Sequence, residues 1–247
     1  MTPIQIKTAD GDCRAWLFRP PTGGPGPGVL MYMDALGIRP AMFEIADQLA
    51  GYGYVVLLPD LFWRSGVYEP MDPRTVLGDP VLRQNTLGRL MADNTPARVM
   101  ADTRAFIDCL HAQPDVTAGG IGVTGYCMGG FMALTAAGTY PDEIAAAASY
   151  HGGRLATDDA GSPHRLAAKM KARVYVAGAI EDAGFPDDMK ARLEAALRDA
   201  GVDHCVETYQ ARHGWTPRDM PVHDAAATQR HWQTLTALFA DTLKSSG

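Results

Sequence analysis

A three-layer α/β/α sandwich around a mostly parallel sheet, opened by an antiparallel hairpin, is the fold class this sequence predicts. Three observations predict it. Short apolar runs alternate with segments of helical period, which places helices over both faces of a parallel sheet. The first two runs instead alternate apolar with polar residues around a tight turn, as a hairpin does. The chain of 247 residues is 47% hydrophobic and 20% charged, enough to bury a substantial core. Residues 1–247 therefore read as one domain.

The hairpin is "IQIKT" and "RAWLFRP" joined through "ADGD". After the loop "PTGGPGPG" come the apolar runs "GVLMYM", "YVVLLPD", "GGIGVTG", "IAAAASY", "ARVYVAG" and "HCVETY", each short enough for a buried strand. Helical period appears between them. Phe43, Ala46, Leu49 and Ala50 share a face, as do Val99, Thr103, Phe106, Ile107 and Leu110, then Met189, Leu193, Ala196, Leu197 and Ala200. Trp232, Leu235, Phe239 and Leu243 mark the last helix. Residues 61–95, rich in Pro, Gly and Asp, read as an excursion over the upper edge of the sheet, partly helical near 80–92.

The bulk charge narrows the function. A net charge of -6 without a lysine- or arginine-rich run speaks against nucleic acid or an anionic membrane as partner. No segment approaches about 18 uninterrupted apolar residues, and the start has no charged region leading into an apolar one. The expectation is a cytoplasmic protein, monomeric or a weak homodimer, acting on a small molecule. Four scattered cysteines, Cys13, Cys109, Cys127 and Cys205, form no disulfide framework and no C-x-x-C pair.

One cysteine stands apart. In "GGIGVTGYCMGGFMAL" a strand runs into a turn and then a helix, and Gly125 and Gly129 flank Cys127 as glycines flank the nucleophile of a strand-turn-helix elbow. The tip residue takes strained backbone angles, so the residues two before and two after it must lack side chains. The helix start favours the thiolate through unpaired N–H groups and the dipole. The Met128 N–H is then an oxyanion donor. The string "GIGVTG" also fits G-x-G-x-x-G, but its glycines fall inside the strand instead of in the turn that a dinucleotide needs. No cofactor is expected.

A thiol in this position needs a base and a group to orient that base. The loop after "ARVYVAG" offers Glu181 and Asp182, and the loop after "HCVETY" offers His213. Both loops leave the same sheet edge as the elbow, in the chain order nucleophile, acid, histidine. His151 follows another strand and is a candidate to line the pocket. Asp34, after the third strand, is either a second carboxylate near the thiol or a turn-forming aspartate. The N–H of Ala35 beside it would complete the oxyanion hole. No histidine pair has metal-ligand spacing with cysteine or carboxylate, so no metal is expected.

These residues resemble the dienelactone hydrolase family, cysteine-dependent members of the α/β-hydrolase fold. The likeness covers most of the chain and rests on "ALGIRPAMFEIADQLAGYGYVVLLPDLFWR", "GVTGYCMGG", "GAIEDAGFP" and "YQARHGW". It implies Cys127 as nucleophile, Asp182, four residues before Pro186, as acid, and His213 as base, in a carboxymethylenebutenolidase-type hydrolysis of small esters or lactones. It also places the family's resting-thiol carboxylate, a glutamate, on Asp34. A substrate-binding arginine that follows the catalytic histidine meets Pro217 here, with Arg218 one position later, and a second falls on Arg83 or Arg89 in the excursion. Trp63, Tyr68 and Trp215 are expected to line the pocket. A ligand-binding or thiol redox-sensing protein on the same fold is the alternative reading.

Overall fold

The computed structural model describes residues 1–244. All eight apolar runs are strands: β1 (Thr2–Lys7), β2 (Asp12–Phe18), β3 (Gly28–Tyr32), β4 (Val55–Pro59), β5 (Ile121–Tyr126), β6 (Ile144–Tyr150), β7 (Arg173–Ala179) and β8 (His204–Tyr209). They form one sheet in the order β1-β2-β4-β3-β5-β6-β7-β8. β1 and β2 pair antiparallel, β2 meets β4 antiparallel, and every later pairing is parallel. β3, β4 and β5 are buried at every residue, which is why their sequences show no alternation. β1 lies at the edge and keeps an alternating, mostly exposed pattern.

Among the described residues there are seven α-helices, six between strands and the last after β8: α1 (Pro40–Gly51), α2 (Pro73–Gly78), α3 (Pro80–Ala92), α4 (Pro96–His111), α5 (Met128–Thr139), α6 (Asp187–Asp199) and α7 (Ala225–Leu243). α1 and α7 adjoin on one face, where Tyr52 meets Trp232 with ring centroids 5.6 Å apart. α4 and α5 pack together on the other, and the short 3-10 turn Pro163–Lys169 joins α5 to α6 there. This is the expected three-layer sandwich. α5 is apolar nearly all round because it lies across β3, β5 and β6 and has almost no solvent face.

Helices α2 to α5 differ in how they start. α2, α3 and α4 each open with an Asp or Thr whose side chain accepts an N–H of the first turn, followed by proline at the first helical position. α5 opens on Cys127 with no side-chain cap, leaving its first N–H groups to a ligand. No helix among the described residues is long and apolar enough to cross a membrane.

The sheet places the site. Strand order reverses between β3 and β5, and in open parallel sheets ligands bind beyond the strand ends at such a reversal. Cys127 follows β5 directly, Asp34 and Ala35 follow β3, and the loops after β6, β7 and β8 reach the same edge.

Candidate active site

The turn at Cys127 is as tight as its glycines demand. Cys127 has φ 54°, and its N–H donates to Tyr150 O at 3.1 Å. A Cβ on Gly125 would lie 2.0 Å from Gly129 O, and one on Gly129 would lie 2.4 Å from Tyr32 O. Neither contact is possible for a side chain, so both glycines are required by backbone meeting backbone. The residue at the tip is thereby held clear of the sheet. It opens, with Met128 and Ala35, onto a cavity of about 290 Å³. Among the described residues no hydrogen bond uses the N–H of Ala35 or of Met128, so both are open donors beside the sulfur.

The loops after β7 and β8 bring up the other two groups. Ile180 N–H donates to Ala211 O at 3.1 Å and ties the loops together. Asp182 Oδ1 accepts from Gly184 N–H at 2.8 Å, which fixes the carboxylate. Its Oδ2 accepts from His213 Nδ1 at 2.8 Å, and His213 faces the same cavity as Cys127. Burial opposes charge on His213, but the hydrogen bonds and charges of Asp182 and Cys127 outweigh it and push its pKa up to about 10. Burial likewise opposes charge on Asp182, and His213, the Gly184 N–H and Lys190 overcome it, lowering that pKa. Glu181, its neighbour, has φ 53° and points to solvent beside Arg212.

Such a set can do one kind of chemistry well. A sulfur, an imidazole and a carboxylate stand in sequence, and the N–H groups of Ala35 and Met128 are open beside them. Among the described residues no three His, Cys, Asp or Glu side chains gather as a metal-ligand set.

Asp34 does something other than hold the thiol. Its two oxygens accept from Arg39 Nη1 and Nη2 at 2.7 and 2.9 Å, and Oδ1 also accepts from Leu36 N–H at 2.9 Å. Arg39, 1% exposed, reaches on to Asp219 at 2.7 Å. The carboxylate is committed to this buried clip, which joins the turn bearing Ala35 to the loop that follows His213. The expected partnership with the resting thiol is therefore corrected.

Most of the expected substrate contacts are also corrected. Trp215 is fully buried, stacked on Tyr209 and edge-on to His151, and does not line the cavity. Trp63 donates from Nε1 to Asp102, and Tyr68 donates to Asp60 and accepts from Ile38 N–H. Trp63 pins the start of the excursion to α4, and Tyr68 pins it to the residue after β4 and to the turn before α1. Arg83 and Arg89 lie on the solvent side of α3, which turns Leu90 inward. Arg218 lines a separate cleft of about 550 Å³ between α1 and α7. His151 lies under His213, ring centroids 5.3 Å apart, with φ 40° and no exposure, so it too is absent from the cavity wall.

The wall is made by residues that sequence reasoning passed over. Met91, Asn94 and Pro96 come from the end of the excursion and the start of α4, Phe131 and Met132 from α5, and Gly153 and Arg154 from the loop after β6. Nothing in the sequence around Met91 and Phe131 marks them as cavity wall. Arg154 carries φ 58° after two glycines, a loop geometry with no side-chain pattern to announce it.

Comparison with known proteins gives the family. A family model described as "Dienelactone hydrolase family" matches residues 13–243. A carboxymethylenebutenolidase of Pseudomonas sp. (strain P51) is 38% identical over 117 residues, 47% of each chain. Among solved structures, a dienelactone hydrolase-like promiscuous phosphotriesterase from metagenomic libraries superposes with TM-score 0.77 at 25% identity, covering 98% of both chains. The dienelactone hydrolase of Anabaena variabilis superposes with TM-score 0.63 at 19% identity, covering 98% of this chain and 97% of its own, and that likeness bears on the fold alone.

Proposed function

This chain belongs to the dienelactone hydrolase family, as a hydrolase of ester or lactone bonds, and we propose that it works through a covalent acyl-enzyme on Cys127. One observation carries the reading. Cys127 at its strained turn and His213, held by Asp182 at 2.8 Å, open onto one cavity with two free N–H donors beside the sulfur.

In the proposed sequence the Cys127 thiolate attacks the carbonyl carbon, and the C–S bond forms as the carbonyl oxygen gains charge. The N–H groups of Ala35 and Met128 hold that oxyanion; losing one such donor costs ~10²-fold or more in rate. The tetrahedral species collapses, the C–O bond breaks, and the leaving alkoxide takes a proton from His213. In a lactone that alcohol stays tethered to the acyl group. A water then gives a proton to His213 and attacks the thioester, releasing the acid and restoring the thiolate. Asp182 fixes the imidazole tautomer throughout and stabilises its cation. The raised pKa of His213 suits this cycle, since the resting site already holds the proton it must deliver.

Hydrolysis of a short p-nitrophenyl ester and of a dienelactone by wild type and Cys127→Ala, side by side, tests the reading. The expected result is turnover of the p-nitrophenyl ester by wild type with acyl-enzyme detectable by intact mass, and neither with the variant. A variant as active as wild type would remove Cys127 from the mechanism. The dienelactone lane reports the consequence of having Pro217 where a substrate arginine is expected.

A further inference from the structure

The wall of the cavity over Cys127 carries almost no open polar group. Met91, Pro96, Met128, Phe131 and Met132 form most of it. Asn94, 7% exposed, turns its amide inward. Its Nδ2 donates to Met128 Sδ at 3.2 Å, and its Oδ1 is enclosed. Arg154 is the single arginine or lysine of the wall, and Asp159 neutralises it at 2.7 Å on the exposed rim. The charge of His213 is already matched by Asp182. An anionic acyl group would therefore enter with no unpaired cation to meet it, losing its hydration for nothing.

We propose that this cavity takes uncharged, apolar acyl groups of ester or lactone substrates, and that the wall of three methionines and Phe131 selects them against carboxylate-bearing ones. The inference rests on the reading of Cys127 as nucleophile, because that residue places the acyl carbonyl at the cavity mouth. Methionine is unbranched and polarisable, so a wall of three accommodates acyl groups of differing shape at little cost. The selectivity is accordingly for polarity over outline. Phe131 rises from the first turn of α5 into the same wall, one turn beyond the residue that attacks.

Two experiments on the full chain test this. In the first, kcat/KM is measured for p-nitrophenyl acetate, propionate and butyrate, and for ethyl butyrate against monoethyl succinate. The expected rise is about 4-fold for each added methylene, the equivalent of burying one CH₂. The neutral ethyl ester is expected to exceed the succinate monoester by ~10²-fold. Phe131→Arg, which puts a cation in the wall, should narrow that gap at least tenfold. Equal or better use of the succinate monoester by wild type overturns the proposal, whatever the fate of the variant.

The second experiment does not need turnover. Cys127 is labelled with butyl and with 2-carboxyethyl methanethiosulfonate, rates are normalised to those of free 2-mercaptoethanol, and the site is read by peptide mass. Faster labelling by the butyl reagent supports the apolar cavity even if no ester is cleaved, in which case the hydrolytic reading alone has failed. Preference for the carboxylate reagent overturns the cavity proposal even if esters are cleaved.

Discussion

The loops after β6 and β8 each deliver a histidine to the same sheet edge, and the two rings, of His151 and His213, lie 5.3 Å apart with their pKa values shifted in opposite directions. Asp182 and Cys127 overcome burial at His213 and push its pKa up to about 10. His151 is fully buried, and among the described residues neither of its ring nitrogens has a hydrogen-bond partner. Burial, reinforced by the charges of His213 and His231, holds it far below the ordinary value. Burial discharges an imidazole, and the carboxylate at 2.8 Å together with Cys127 reverses the outcome. On the proposed mechanism, the difference separates a proton carrier from a floor on which it rests.

Removing the sulfur tests the comparison hardest. Cys127→Ala is expected to lower ester turnover by ~10⁴-fold or more. It also takes away one of the two groups that raise His213, so the NMR titration midpoint of that ring should fall below about 10 while His151 stays neutral. Asp182→Asn comes next, at ~10³–10⁴-fold in kcat/KM, because the wrong tautomer is then held. If the His213 midpoint fails to move toward 6.5 in that variant, the carboxylate is not what distinguishes the two rings.

Arg39→Met should cost less activity, ~10–10²-fold, by loosening the turn of Ala35 against the His213 loop. It should also cost about 3–5 kcal/mol in urea unfolding, since Asp34 is left buried without its cation.

The stability profile sharpens the contrast further. His151 and His231 have folded pKa values below 6.5, about 3 for His231, so the unfolded chain protonates first as pH falls. Their contribution is present above 6.5 and declines below it, each by about 1.4 kcal/mol per pH unit until its folded pKa is reached. His213 has a raised folded pKa, so its contribution is full below 6.5 and disappears as pH climbs toward about 10. Urea midpoints should therefore peak near pH 6.5, with His151→Phe flattening the acid side and His213→Phe the alkaline side. The smallest effect is expected for Arg83→Ala and Arg89→Ala, whose exposed side chains should leave kcat/KM within about twofold.

Much of this was legible in the sequence for physical reasons. Strands buried on both faces read as unbroken apolar runs, and the elbow announced itself because only glycine fits at 125 and 129. The proximity of His213 to Asp182 followed from strands that end on one edge. Partners chosen by tertiary contact did not follow. Asp34 meets Arg39 only because α1 begins there, and Trp215 is drawn under the site by Tyr209 and His151, contacts that no spacing encodes. α2 was missed although Asp72 and Pro73 form a recognisable helix start. The cavity wall was hidden because methionine and phenylalanine look the same in a sequence whether they face a core or a substrate.

The clip from Asp34 through Arg39 to Asp219 joins positions that lie 180 residues apart in the chain. Closing so long a loop costs configurational entropy that is recovered only once the strands between have assembled. The two halves of the site are therefore expected to be fastened late in folding. On dilution from denaturant, far-UV circular dichroism should recover before ester hydrolysis does, with the lag lengthened in Arg39→Met. A newly made chain would pass through a compact stage in which its thiol is already in place but idle, so the reactive sulfur is not set to work until the rest of the molecule is finished.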